Sequence, residues 1–532
     1  MTKFSWLLRT GLLLALLGTL RAQDPLFATE TGYDLSFQRN ELNQRTLSWR
    51  DLARATGGSP PEGLQNCQPA GSYVVYRAGT SFPAEADIGA LSALQAKMRR
   101  QTVNPSFRFL SQLSTSRIPR TSAGDLAESG RRELQELASR IKVRFQEFFQ
   151  NPDVDLGRFS FQSTNASKSI DSAVAFVRGL VGLNQICETL SSEGNVTVTC
   201  SENSRQSPRI VTPTSAYIPH DPANMDPLLR PYNTRRRCLD TVNKGKTARE
   251  VRNFQRSREA MQLKDRVAKR LSVPGAQQLW NITTDEVELL GRICAYYLAM
   301  FNENTTWCRL LEYEDLNVAE YRRELEDFWD KSYGFPLNSR VTCPLINDTL
   351  EYFDRLSGRA AGAGVRTPLM IFKFADENTL LRLVSLLGIA KDPRPLMFNN
   401  YAQSRTRQFR TAKLAPFAGN LALNLFRCEE PQSLFFEDVT FRVQVLLNER
   451  PINITFCQDA FCNLRDFRRE LMAKAGQCQV QADCNVAFGL NPDGSRPGPG
   501  SGGGRGAAST VTPARLLIAL AAIIVAKVIL VA

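Results

Sequence analysis

The sequence predicts an α/β fold: a mostly parallel sheet flanked by helices, with an α-helical subdomain inserted in it. Three observations carry this prediction. Short apolar, β-rich runs stand out as buried strands at Ser72–Tyr76, Leu369–Phe374 and Val439–Leu447. Helical patterns separate them, which is the alternation that a parallel sheet with crossover helices requires. The stretch from about Arg235 to Tyr333 contains no convincing strand and reads as the helical insertion, spanning about 235–335.

Each element has its own signature. Between Arg131 and Phe149, the apolar residues Leu134, Leu137, Ala138, Ile141, Phe145 and Phe148 recur at helical spacing with charges between them, an amphipathic helix. Thr283 and Glu286 have the spacing of a capping box and predict a helix over Val287–Phe301. After Leu447, Asn448–Pro451 reads as a turn leading into a further run, Ile452–Phe456. The basic segment Lys244–Arg270 reads as a solvated helix face in preference to a dedicated anion or heparin patch.

The chain has 532 residues with 43% hydrophobic and 22% charged, a composition that folds, and a formal net charge of +13. It contains one histidine, His220. Multi-histidine metal sites and mechanisms that need two imidazoles are therefore excluded, and no metal or cofactor is expected. His220 lies in a Pro-flanked loop without a nucleophile elbow and reads as a surface or capping residue.

The ends indicate the compartment. Residues 1–22 have basic residues early, an apolar Leu12–Leu17 stretch and Ala22 before polar Gln23, the form of a secretory signal peptide rather than a permanent anchor. Residues 23–490 would form the folded domain, 491–515 a Gly/Ser/Pro linker, and 516–532 a terminal apolar tail. Small residues, a polar spacer and that tail are the parts of a glycolipid (GPI) anchor signal, with attachment between Ser501 and Ala508; a tail-anchoring helix is the alternative. The protein is thus expected in the secretory pathway and at the cell surface, or otherwise secreted.

Removing the three cations of residues 1–22, with Arg515 and Lys527 of the tail, lowers the formal charge from +13 to about +8. For a basic extracellular chain, anionic small molecules or an extracellular protein are the expected partners, with the membrane reached through the lipid anchor and no nucleic acid. Sequons at Asn165, Asn195, Asn281, Asn304, Asn347 and Asn453 agree with the secretory route. The 12 cysteines are even in number and read as disulfides whose pairing the sequence does not determine.

In an open α/β sheet ligands bind at the carboxyl ends of the strands, so the loop after Ser72–Tyr76 is the place to seek chemistry. It reads Arg77, Ala78, Gly79, Thr80, Ser81, Phe82, Pro83. This loop resembles the R-H-G-x-R-x-P signature of the histidine acid phosphatases, and the chain is similar to their multiple inositol polyphosphate phosphatase branch over most of residues 30–470. The segments Leu126–Phe145, Phe161–Leu180, Thr306–Leu337 and Lys373–Pro395 carry the similarity.

The resemblance implies a nucleophilic histidine at the position of Ala78 and a phosphate-holding arginine at that of Ser81. It implies a third phosphate-holding arginine at Lys168, and the histidine and proton-donating glutamate of an H-A-E motif at Asp376 and Asn378. Arg77 is retained. A methyl group cannot attack phosphorus, Ser81 lacks a guanidinium fork, Lys168 supplies charge without that fork, Asp376 is expected to repel phosphate, and Asn378 cannot protonate an alkoxide. A shifted register with Glu377 as acid would rescue proton donation but not the nucleophile.

The expected function is therefore that of a cell-surface pseudo-phosphatase with a binding or structural role. Arg77, Lys168 and Ser81 would remain as a phosphate-binding remnant, inositol phosphate being the candidate ligand. The alternative is a phosphomonoesterase acting on inositol polyphosphates through an unfamiliar constellation. A glycan at Asn165, three residues before Lys168, would hang over the site.

Overall fold

A computed structural model of the chain describes residues 27–37, 47–51, 66–149, 156–182, 187–192, 195–200, 209–211, 226–359, 367–430, 438–457 and 460–496. The predicted signal peptide, the apolar tail and His220 lie outside these residues, as does the linker beyond residue 496. No helix among the described residues is long and apolar enough to cross a membrane. The described residues up to Val480 form one compact unit and those from Gln481 to 496 a second, in which helix continues to Ala487 and Asn491 closes a turn with Ser495.

The first unit is built on one sheet. Its strands are β1 (Cys67–Arg77), β2 (Phe159–Ser163), β3 (Cys187–Ser192), β4 (Asn195–Cys200), β5 (Arg209–Val211), β6 (Met370–Ala375), β7 (Asn420–Glu430), β8 (Asp438–Leu447), β9 (Arg450–Pro451) and β10 (Phe461–Asn463). They run in the order β10-β8-β7-β1-β6-β2-β5-β4-β3, with β9 paired to β8. The predicted parallel pairing holds at the centre, where β1, β6, β2 and β5 are parallel. Both flanks are antiparallel. The sheet is thus mixed, because short connections such as the one joining β3 to β4 permit only hairpins.

β1 is buried along Gly71–Arg77 because it packs on both faces. On one face Tyr76 meets Phe176, Phe372 and Phe374. On the other Tyr73 and Val75 face Leu345, Ile346, Leu383 and Leu387. Cys67 of β1 is bonded to Cys428 opposite it on β7, and Cys294–Cys308, Cys343–Cys478 and Cys457–Cys462 are also bonded.

The helices that frame the site are α1 (Glu85–Arg100), α2 (Glu128–Arg144), α3 (Ser167–Val181), α4 (Thr284–Phe301), α5 (Tyr313–Lys331) and α6 (Glu377–Leu387). Of the face predicted for 131–149, Leu134, Leu137, Ala138 and Ile141 are buried on α2, which ends at Arg144, and Phe148 falls in a separate short helix, Gln146–Phe149; the Thr283–Glu286 capping box opens α4 as its spacing predicts. Between β5 and β6 the described residues form helices and no strand.

The predicted run Ile452–Phe456 is not a strand: pairing with β8 ends at Pro451. The turn itself is tight, with Asn448 and Glu449 both at positive φ, as a two-residue hairpin needs. Ile452 still donates its N–H to the Val445 carbonyl at 2.9 Å, and regular pairing goes no further.

Candidate functional site

The carboxyl ends of β1, β2 and β6 meet at one edge of the sheet. Arg77 ends β1 in register with Ala375, which ends β6. The loop Ala78–Ser81 leaves β1, Thr164–Ala166 leads from β2 into α3, and Asp376 joins β6 to α6.

Arg77 is buried, and its guanidinium is fixed from the far side. Its Nη1 donates to the carbonyl oxygens of Thr29 and, at 2.7 Å, Ala415, and its Cζ lies 4.4 Å from the centroid of the Phe417 ring. The neighbouring Ala78 is 3% exposed and tied by its backbone to Ala375 and Ala418.

Gly79 and Gly130 explain how the loop lies directly on α2. A Cβ on Gly79 would fall 2.6 Å from the Gly130 carbonyl oxygen, and one on Gly130 would fall 2.3 Å from that of Thr80. Ser81 turns inward, its hydroxyl donating to the Gly79 carbonyl at 2.9 Å, and it pairs across to Leu126. Its polar group is used within its own loop.

Lys168 is the second residue of α3. Ser172 ties this turn to the loop: its hydroxyl donates to the Lys168 carbonyl at 2.6 Å and accepts from the Gly79 N–H at 3.1 Å. Asn165, just before α3, is exposed, as are Asn281, Asn304, Asn347 and Asn453; the side chain of Asn195 lies outside what the structure describes.

Asp376 and Glu377 have different duties. Asp376 is the N-cap of α6, accepting from the Thr379 N–H at 3.1 Å. It also accepts from the Tyr232 hydroxyl and lies 3.3 Å from the Arg230 Nε. The charge expected to repel phosphate is thus held by a cap, a phenol and a guanidinium.

The acid that faces cations is Glu377, with its Oε1 3.9 Å from the Lys331 Nζ. Burial tends to raise its carboxyl, but Lys331, Arg77 and Lys168 together outweigh burial and hold it well below the usual carboxylate range. A carboxyl held ionised is a poor proton donor near neutral pH. Asn378 donates to Glu377 at 3.3 Å.

Sequence reasoning missed Lys331, the last residue of α5, whose Nζ also lies 2.9 Å from Asp327. It missed Thr29 and Ala415 as well, which act through backbone carbonyls that leave no side-chain signature.

A second acid supports the loop from behind. Glu133 accepts from the Thr80 N–H and hydroxyl, both at 2.8 Å, and from the Tyr33 N–H at 3.3 Å. It lines a cavity of about 370 Å³ with Gly32, Asp34, Ser129 and Arg132. Burial raises its carboxyl from 4.5 to about 7, against the pull of its donors.

With a folded pKa above the unfolded one, its contribution is fully present below pH 4.5 and is lost as pH rises to about 7. Discounted for its contact with solvent, the loss is on the order of 2 kcal/mol. Urea midpoints at pH 4.5 and 7.5 are expected to differ less in Glu133→Gln than in the parent chain. Equal differences would contradict this account.

The sheet, the loop at the end of β1 and the helix capped at the end of β6 define the class. Residues 106–448 match the histidine phosphatase superfamily (branch 2), and the chain belongs to that family. Within it, the chain is similar to proteins of the multiple inositol polyphosphate phosphatase branch. It is 27% identical over 481 residues to multiple inositol polyphosphate phosphatase 1 of Homo sapiens, covering 87% of this chain and 89% of that protein. With the Gallus gallus protein of the same name it shares 26% over 423 residues, covering 79% of this chain and 85% of the other.

Among solved structures, the fold is similar to the Bifidobacterium longum multiple inositol polyphosphate phosphatase in complex with phosphate. The TM-score is 0.61 at 14% identity, covering 85% of this chain and 98% of that one. The phytase from D. castellii gives 0.60 at 16% identity, covering 81% and 83%.

Proposed function

We propose that the chain is a multiple inositol polyphosphate phosphatase-like protein that has lost the reaction and acts as a binding or structural pseudo-phosphatase. The observation that carries this reading is Ala78: at the position following Arg77, where the family resemblance implies the nucleophile, stands a buried methyl group. Within the loop, Ser81 spends its hydroxyl on the Gly79 carbonyl and Thr80 spends its own on Glu133. The donor position is Asn378, and the adjacent acid, Glu377, is held ionised. Loss of the nucleophile from a coupled catalytic unit costs about a millionfold in rate.

We place the protein at the cell surface, entering by the signal peptide of residues 1–22 and held by a glycolipid attached near Ser501–Ala508. A glycan on the exposed Asn165 would overhang the site. Peptide mapping that found Asn165 unmodified would remove this last support.

Incubation of the purified chain with inositol hexakisphosphate and with a chromogenic phosphate ester tests the reading. Phosphate release at the background rate is expected for both. Turnover at a rate near that of active relatives would favour the phosphomonoesterase alternative.

A further inference from the structure

Four charged groups converge on the start of α6 from separate elements. Arg77 comes from the end of β1, Lys168 from the first turn of α3, Lys331 from the last residue of α5, and Glu377 opens α6 itself. The backbone fixes their proximity. Arg77 pairs with Ala375, two residues before Glu377. Ser172 bridges Lys168 to Gly79, and Ser169, also on α3, reaches the Ala375 carbonyl at 3.5 Å. Lys331 approaches Glu377 to 3.9 Å.

We propose that Glu377 is the built-in anion of this cationic cluster, standing where a phosphate-like oxyanion would otherwise be held by Arg77, Lys168 and Lys331. The carboxylate also lies in the first turn of α6, where the helix dipole favours negative charge. Asp376 cannot fill this role, because Tyr232 and Arg230 hold its carboxylate. The charge balance follows. Lys331 lies 2.9 Å from Asp327 and 3.9 Å from Glu377, and Arg77 and Lys168 also act on the Glu377 carboxylate; without it these three cations would have one fewer anion against them.

The cluster is also preorganised. The carbonyls of Thr29 and Ala415 and the ring of Phe417 orient the Arg77 guanidinium without any ligand. Losing the carboxylate therefore opens an oxyanion site with little rearrangement. The inference rests on the pseudo-phosphatase reading only in expecting binding without turnover.

The test uses the full chain and its Glu377→Ala and Glu377→Gln variants, with inorganic phosphate and the non-hydrolysable inositol hexasulfate as probes. Calorimetry is expected to show each variant binding at least about tenfold more tightly than the parent. The melting temperature of each variant is expected to rise saturably with either probe, while that of the parent stays flat. Adding Lys331→Met to Glu377→Gln should abolish the gain, which places the ligand in this cluster. Parent and variants binding alike, or a gain that survives Lys331→Met, would overturn the inference. Phosphate release from inositol hexakisphosphate is read in parallel: turnover by the parent chain would sink the pseudo-phosphatase reading and leave the binding comparison standing.

Discussion

Glu324→Ala is expected to lower the stability of the folded chain by about 3–5 kcal/mol, the cost of leaving a buried charge without its partner. Glu324 sits on α5 with its side chain fully buried, and accepts from Arg407 Nε and, at 2.7 Å, from the Thr411 N–H. Glu320, one turn earlier, lies 3.5 Å from Arg407 and pairs with Arg410. Removing Glu324 leaves the Arg407 guanidinium with one distant carboxylate and orphans a buried N–H.

The effect should reach the site, because the same turn presents the Ala415 carbonyl to Arg77, and the Ala415 N–H donates to the Thr411 carbonyl. Urea unfolding is the measurement. Glu324→Gln keeps the shape and one acceptor and should lose less. Equal losses would mean that packing, not charge, carries the effect.

The second large effect is expected at Gly130. Helix α2 passes so close to the loop that a Cβ there would meet the Thr80 oxygen at 2.3 Å and the Thr80 nitrogen at 2.7 Å. These are backbone atoms and cannot swing aside, so Gly130→Ala must push α2 and the Ala78–Ser81 loop apart. Overpacking of this kind costs about 1–3 kcal/mol, and a clash with backbone belongs at the upper end. The displaced loop should also lose the Ala127 N–H to Thr80 carbonyl bond, which is 2.9 Å long. Unfolding midpoints and amide exchange at Thr80 and Ala127 report the two effects; unchanged exchange would contradict the account.

The sequence reading succeeded where a local pattern was sufficient. β1 and β6 carry short apolar runs and β8 an alternating one, and α4 opens on a capping box whose two partners are three residues apart. It failed on β7, where Asn420 and Asn424 interrupt the apolar pattern. Both are buried because their partners are remote: Asn424 accepts from Ser72, and Asn420 donates to Tyr33 and is linked to Asn448. Arg140 and Arg144 likewise looked like solvent-facing charges on α2, yet both are buried against Glu449 of the β8–β9 turn. Polar pairs separated by hundreds of residues leave no periodicity to read.

At the site, the resemblance supplied Arg77, Ala78, Ser81, Lys168, Asp376 and Asn378, and the ends of β1 and β6 with the first turn of α3 bring Arg77, Lys168 and Asp376 to one edge of the sheet. What it did not supply is the distribution of charge. Asp376, read as a repelling anion, is a helix cap, whereas Glu377, considered as a replacement acid, is the carboxylate that Lys331 and its neighbouring cations hold ionised. Adjacent residues at a helix start point in different directions, and only the packing of α3 and α5 decides which of them meets the cations.

The central claim is that this family fold no longer performs phosphoryl transfer. The most direct test is a single-turnover experiment, with the glycosylated, secreted chain in molar excess over labelled inositol hexakisphosphate and both free phosphate and protein-bound label followed over hours. The account predicts neither free phosphate above the heat-inactivated control nor label on the protein. Stoichiometric phosphate release, or label retained on the chain after denaturation, would contradict it.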